Sequence, residues 1–383
     1  MARGRFPLIL EAMKAPFTRR RFVGLLAATS AQWLPLSRVR GAVDVSMIKS
    51  HAEEASRLIE SQVRSGDVAA AAFLMRQGGF EFVRGYGNAR SDTPFLIASP
   101  TKPMTVSAVM WLCERGELSL SDPVKKYLSQ FRGDGRDAVT VKQLLNHTSG
   151  LPDMLPENVE LRRRHAPLSE FVAGSCRTPL LFAPGAKVSY QSMGILLAAA
   201  IAERITGQPL AAFLKMSIFG PLRMMQTSLD LGGRTIAETA QCQVAESERS
   251  DWDWNSAYWR NLGAPWGGAH STVRDLATFT EAFVSPDSGP WAESTRREML
   301  EVQTGEHRPR YGLGWVREPG AFGKTGSPAA YGHFGATGTV VWHDPESHVT
   351  CVVLTTRAAV SSKASLLVPV SEIVGRRDRG RME

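Results

Sequence analysis

No stretch of this 383-residue chain is apolar over the roughly 20 residues that a membrane-spanning helix needs, and no low-complexity tract or fixed-period repeat interrupts it. Cysteine is scarce. Cys113, Cys176, Cys242 and Cys351 stand far apart, without a CxxC pair or a Cys/His spacing suited to zinc, so neither a bound metal nor a disulfide framework is expected. Cys113 falls in a helical pattern and Cys351 in a strand pattern, where thiols pack as small apolar side chains. A hydrophobic share of 43% against 21% charged residues leaves an ordinary globular composition, long enough for a sizeable core.

Excess charge is missing from most of the chain as well. The formal net charge is +8, but residues 1–42 hold eight basic residues and one acidic, which leaves 37 basic against 36 acidic in the rest. A nearly neutral body gives no electrostatic basis for a nucleic-acid or acidic-membrane partner. The basic segment reads as a leader. "TRRRFVGLLAATSAQWLPL" sets arginines before an apolar run of about 15 residues, the form of a secretory signal. Thr18-Arg19-Arg20-Arg21-Phe22-Val23 is similar to the twin-arginine address that exports folded proteins; a plain secretory signal and a basic N-terminal anchor are the alternatives. Residues 1–42 are thus expected to be a signal peptide cleaved after Gly41 or Ala42, placing the protein in the periplasm or outside the cell. No cysteine lies near that point, so no lipid anchor is expected to remain.

Beyond the leader, Asp44 to Arg64 has helical spacing, and "VAAAAFLMR", "QGG" and "FEFVRGYG" read as a hairpin from Val68 to about Tyr86. An apolar helix is expected from Thr101 to Arg115, closed by Gly116. Residues from about 117 to 300 are mostly helical in pattern, and Thr272-Val273-Arg274-Asp275 looks like a capping box opening a helix through Phe279 and Phe283. Strand patterns return in "YGLGWV", "YGHFG", "GTVVWHD" and "HVTCVVLTT", the last two joined by a turn at Asp344 to Ser347. An amphipathic helix near Ser362 to Val374 then precedes a charged tail, residues 376–383. Strands at both ends with helices between predict one α+β unit, a mostly antiparallel sheet flanked by helices with a helical lobe.

Within this frame Ser99 and Lys102 stand three apart. On a helix they share a face, so the lysine can reach the hydroxyl, which is a poor nucleophile until a neighbour takes its proton. Burial lowers a lysine pKa, and a helix N-terminus favours developing negative charge. Pro100 suits the helix start, whereas Pro103 predicts an irregular first turn. S-x-x-K alone is weak: Ser46-Met47-Ile48-Lys49 also fits it. No G-x-S-x-G occurs, which disfavours the nucleophile elbow of an α/β-hydrolase.

The order of "SPTK", "ERGELSLSDPV", "TVKQLLNHTSGLPD", "FAPGAKVSYQSMGILLAAAIAERITG" and "YGHFGATGTVVWHDPES" closely resembles the serine β-lactamase and penicillin-binding-protein superfamily. It stands nearest the class-C-like branch of esterases, D-stereospecific peptidases and oligomeric-amide hydrolases. The resemblance spans about residues 68 to 357 and implies a β-lactamase/transpeptidase-like fold, here a single domain over 43–375. It assigns Ser99 as the acylated nucleophile, Lys102 as its activator and Tyr190 as the lysine's partner in proton transfer, with the Lys102 ammonium expected to lower the phenol pKa. Ser192 stands where the second motif usually has Asn, a shorter group left to orient substrate weakly. His333 and Gly335 take the third motif in preference to Lys324-Thr325-Gly326, which lies in a Gly- and Pro-rich loop. The amides of Ser99 and Ala336 would form the oxyanion hole. His147 is read as structural, and Trp254, in "DWDWNSAYW", either walls the acyl pocket or packs between lobes.

These readings converge on an exported serine hydrolase that needs no cofactor and acts through an acyl-enzyme on a small ester, amide or short peptide. A true β-lactamase or D,D-peptidase is the alternative within the class. A catalytically idle penicillin-binding-like recognition protein is the alternative outside it. His333, only partly charged near neutral pH, disfavours efficient β-lactam hydrolysis.

Overall fold

The computed structural model describes residues 45–285 and 289–377. The expected leader and its cleavage point lie outside the described residues, as do residues 378–383 of the tail.

Alternation along the strands decides the layering. In β1 (Ala70–Gln77) six consecutive residues are buried, yet they serve two different cores. Ala71, Phe73 and Met75 point to a core shared with helix α1 (Val45–Arg64), whereas Ala70, Ala72 and Leu74 point to the larger core on the opposite face. The same division holds in β6 (Thr339–Asp344) and β7 (Val349–Thr355): Val340, Trp342, Cys351 and Val353 face the α1 side, and Val341, Val352 and Leu354 the other. With β2 (Phe80–Gly87) and β5 (Tyr331–Gly335) these strands form one antiparallel sheet in the order β2-β1-β7-β6-β5. Helices cover both faces, as the α+β pattern predicts. The N-terminal hairpin sits beside the last strand of the chain, with Phe73 opposite Val353.

The outer layer pairs α1 with helical segments that run end to end, Ala359–Ser362, a π turn at Lys363–Leu367, and Val368–Val374. Trp342 Nε1 donates to Ser371 Oγ (3.0 Å) across this interface. Arg376 and Arg377 close the described chain by pairing with Glu54 (2.6 Å) and Asp344 (3.0 Å). The inner layer holds α2 (Thr101–Glu114), buried on every side from Thr101 to Met110, against the Met193–Thr206 helix.

Two local expectations are corrected. "YGLGWV" forms no named strand: Tyr311 and Val316 pair with each other, and Val316 bridges to Gly332. Gly314, at φ 79°, folds the segment into a turn, and a Cβ there would come within 3.0 Å of Pro103 Cα, so this turn backs onto the start of α2. At Thr272 the hydroxyl accepts from Asp275 N (3.3 Å), which gives the expected cap to Val273–Glu281, but Asp275 does not reach back. Its carboxylate instead accepts from Gln226 N (2.9 Å) and Thr227 Oγ1 (2.8 Å). A two-residue pair, β3 (Phe95–Leu96) with β4 (His270–Ser271), was below the reach of any periodicity and lies just upstream of Ser99.

Candidate active site

After β3 the backbone turns through Ala98, whose φ of 53° is left-handed and uncommon for a residue with a Cβ. Thr101 fastens the bend, its N (2.9 Å) and Oγ1 (2.6 Å) both donating to the Ala98 carbonyl. Ser99 is thereby presented, partly exposed, at the start of α2. Pro103 causes no break there, because its absent N–H is one of those a first helical turn leaves unpaired anyway.

Lys102 is 1% exposed, and its Nζ reaches Ser99 Oγ at 3.3 Å and donates to the Trp266 carbonyl at 3.0 Å. Burial pulls this lysine down to about 7, against the opposing pull of the Asp153 carboxylate. A lysine shifted that far is readily deprotonated near neutral pH, and its neutral amine can accept the serine proton.

The Tyr190 hydroxyl interacts with that of Ser99, and Lys102 Nζ lies 4.6 Å from the centroid of its ring. The expected lowering of its phenol is not what the structure shows. Burial among packed rings pushes Tyr190 up, and the interaction with Ser99 offsets only part of that. Tyr190 is therefore a neutral hydroxyl able to relay a proton, and of the two groups the amine of Lys102 is the better placed to accept one.

The third-motif segment closes on the serine from the other side. Thr337 Oγ1 donates to the Leu96 carbonyl (2.6 Å) and Thr339 Oγ1 to that of Ile97 (2.7 Å), tying the β5–β6 turn to the residues before Ser99. The N–H groups of Ser99 and Ala336 have no partner among the described residues, so both remain free to hold an oxyanion. The absence of a side chain at Gly335 permits this approach, since a Cβ would stand 2.1 Å from both the Ile97 carbonyl and Thr339 Oγ1. Gly335→Ala is expected to destabilise the protein by about 1–3 kcal/mol through overpacking. Displacement of the Ala336 amide should also lower ester kcat/KM by about 100-fold. Urea denaturation and steady-state turnover check the two parts.

His333 is 3% exposed, and its Nδ1 donates to the Phe334 carbonyl (2.6 Å). That bond leaves Nε2 as an acceptor, buried and without a partner. Burial, then the Lys102 charge, pushes His333 down to about 3, so the ring is neutral throughout the physiological range rather than partly charged.

Ser192 is buried, and its Oγ donates to Asp153 Oδ1 (2.6 Å). His147, at φ 66°, holds the second motif in place: its carbonyl accepts from Ser189 N (2.9 Å), its Nδ1 accepts from Gln191 N (3.3 Å), and its ring lies 4.9 Å from that of Tyr190. Trp254 packs on the larger core and its carbonyl accepts from Arg260 Nε (2.6 Å), a packing role. Lys324 and Thr325 lie in a loop against Glu372. Sequence reasoning missed Asp153, the Trp266 carbonyl and Tyr311, whose ring is 4.7 Å from His147. Asp153 carried a signal, standing directly after "NHTSGLP"; the other two are brought in only by the folding of distant loops.

The sequence model of the Beta-lactamase family matches residues 55–367. Esterase EstB of Burkholderia gladioli is 37% identical over 180 residues, which is 41% of this chain and 46% of that esterase, so the chain matches about half its length. A Salmonella agona protein, whose name proposes D-alanyl-D-alanine carboxypeptidase activity, is 26% identical over 311 residues, 70% of each chain. Among solved structures, the D-amino acid amidase of Ochrobactrum anthropi superposes with a TM-score of 0.67 at 20% identity, covering 86% of this chain and 97% of its own, a likeness of fold.

Proposed function

This chain belongs to the beta-lactamase family and is a serine hydrolase, and we propose that it cleaves a small ester or amide through an acyl-enzyme on Ser99. The observation that carries the proposal is the convergence of a buried, readily deprotonated Lys102 and a neutral Tyr190 on one serine hydroxyl.

In the first half-reaction Ser99 Oγ bonds to the carbonyl carbon while its proton passes to Lys102 Nζ. The resulting oxyanion lies on the Ser99 and Ala336 amides. Collapse breaks the bond to the leaving group, which takes a proton from the Tyr190 hydroxyl as Tyr190 recovers one from the Lys102 ammonium. Water then attacks the acyl carbon and gives a proton to the same pair, which returns it to Ser99 Oγ as the acyl–oxygen bond breaks, releasing the acid with the serine hydroxyl restored. Export, suggested by the arginine-led leader, is proposed as the setting.

Substrate preference follows from what flanks the serine. A neutral His333 offers no charge to a carboxylate, and the Ser192 hydroxyl is already bonded to Asp153. p-Nitrophenyl butyrate is therefore expected to be hydrolysed with a kcat/KM at least about tenfold above that of the cephalosporin nitrocefin, the factor tied to one missing charge-assisted contact. Turnover of nitrocefin well above that of the ester would replace this reading by a true β-lactamase.

A further inference from the structure

The carboxylate of Asp153 is exposed, yet its charge reaches Lys102, Tyr190 and Tyr311. Its negative charge is therefore felt by the two side chains that attend Ser99. Its placement is fixed twice by one residue. Ser192 Oγ donates to Asp153 Oδ1 (2.6 Å), and Ser192 N donates to the Asp153 carbonyl (3.3 Å). No arginine, lysine or histidine among the described residues pairs with Asp153, and its second carboxylate oxygen has no protein partner there. An oriented, unneutralised carboxylate beside a nucleophile attracts positive charge and repels negative charge.

A second, independent feature points the same way. His333, on β5 and with its ring centroid 6.0 Å from that of Tyr190, presents a buried Nε2 that can only accept. Two acceptors, Asp153 held by Ser192 of the second motif and His333 Nε2 on the ring next to Tyr190, thus flank this motif, and both match N–H donors. Lys363 completes the charge pattern. It lies over the Phe334 ring at 4.3 Å and its charge reaches His333, so the positive pole is at the β5 end and the negative pole at the second motif.

We propose that Asp153, oriented by Ser192, is a specificity-determining residue that selects acyl groups bearing an ammonium, so that the preferred substrates are aminoacyl esters or amides. This rests on the serine-hydrolase reading above and adds to it the charge of the acyl group. Asp153 makes and breaks no bond in the reaction; it holds the ammonium while Ser99 attacks the neighbouring carbonyl.

The test compares four ethyl esters by pH-stat at pH 7: D- and L-alanine ethyl ester with an ammonium, ethyl propionate without charge, and monoethyl succinate with a carboxylate. For the wild type, one alanine ester is expected to exceed ethyl propionate in kcat/KM by about 10- to 100-fold, the range of one charge-assisted hydrogen bond, with monoethyl succinate slowest. In Asp153→Asn the amide oxygen still accepts from Ser192, so the loop keeps its anchor. The alanine ester should then fall to within about threefold of ethyl propionate measured on the same variant, mainly through KM; whatever the lost charge does to Lys102 acts on both esters and cancels in their ratio. Asp153→Glu should recover part of the preference.

Equal loss on all esters in Asp153→Asn would mean that Asp153 only positions Ser192 or tunes Lys102, and would overturn the proposal. A wild type that hydrolyses ethyl propionate or monoethyl succinate as fast as the better of the two alanine esters would overturn it without any variant. Failure of the wild type on all four esters, with no fluorophosphonate adduct, would instead bring down the serine-hydrolase reading and this inference with it.

Discussion

Ser99→Ala is expected to fold as the wild type does, to take up no fluorophosphonate, and to lose at least about 10,000-fold in ester kcat/KM, the scale on which nucleophile deletions act. The loss is that large because the hydroxyl is the point where every other feature meets. Lys102 Nζ stands 3.3 Å from it, Tyr190 interacts with it, and the strained Ala98 backbone exists next to it. Stability should hardly change. Ser99 is partly exposed, and Lys102 keeps its bond to the Trp266 carbonyl when the hydroxyl is gone. Intact mass after labelling, with p-nitrophenyl butyrate turnover on the same samples, reads the result. A folded wild type with neither adduct nor turnover would shift the assignment to a recognition protein that keeps the fold without the chemistry.

Lys102→Met separates catalysis from stability in opposite directions. Methionine fills much the same space without a charge. Activity should fall by about 1,000-fold or more, since the base is gone and the Ser99 proton has no acceptor nearby. Stability should rise. In the wild type the folded state holds Lys102 down to about 7 by burial, whereas the unfolded chain holds it near 10.5. The unfolded state thus binds more protons between those values. The lysine's contribution is least unfavourable above 10.5 and worsens as pH falls toward 7. The variant is accordingly expected to be more stable than the wild type at pH 7 by about 1–3 kcal/mol, with the gap narrowing by pH 9.5. Urea denaturation at the two pH values measures it. The same shift sets the wild-type rate profile: kcat/KM should rise through about pH 7 as the ammonium becomes an amine. A variant less stable than the wild type at pH 7, or a wild-type profile flat from pH 6 to 8, would refute the role given to burial.

Ser99 and Lys102 were legible because their relation is local, a matter of helix geometry and three residues of spacing. The sheet was legible in β1, β2, β5, β6 and β7 because strands buried on both faces still alternate between two cores, and because turn residues punctuate them. What stayed hidden depended on segments far apart in the chain. Asp275 looked like the second half of a capping box until Gln226 and Thr227 came within its reach. The Tyr190 phenol was placed too low because composition does not reveal how many rings close around a side chain. Ser192 read as a weakened substrate contact, and its bond to Asp153, 39 residues away, could not be seen in the motif.

The strand order has a temporal side. β7 lies between β1 and β6, so the middle of the sheet is the last strand to be made, some 270 residues after the hairpin it joins. Until Val349–Thr355 leaves the ribosome, the inner edge of β1 has no partner, and the apolar residues of both cores are without the strand that divides them. Contacts so distant in sequence form slowly. The sheet cannot be completed before that strand is made, and a product truncated before residue 349 is expected to expose both cores and to be drawn to chaperones and proteases rather than to act as a smaller enzyme.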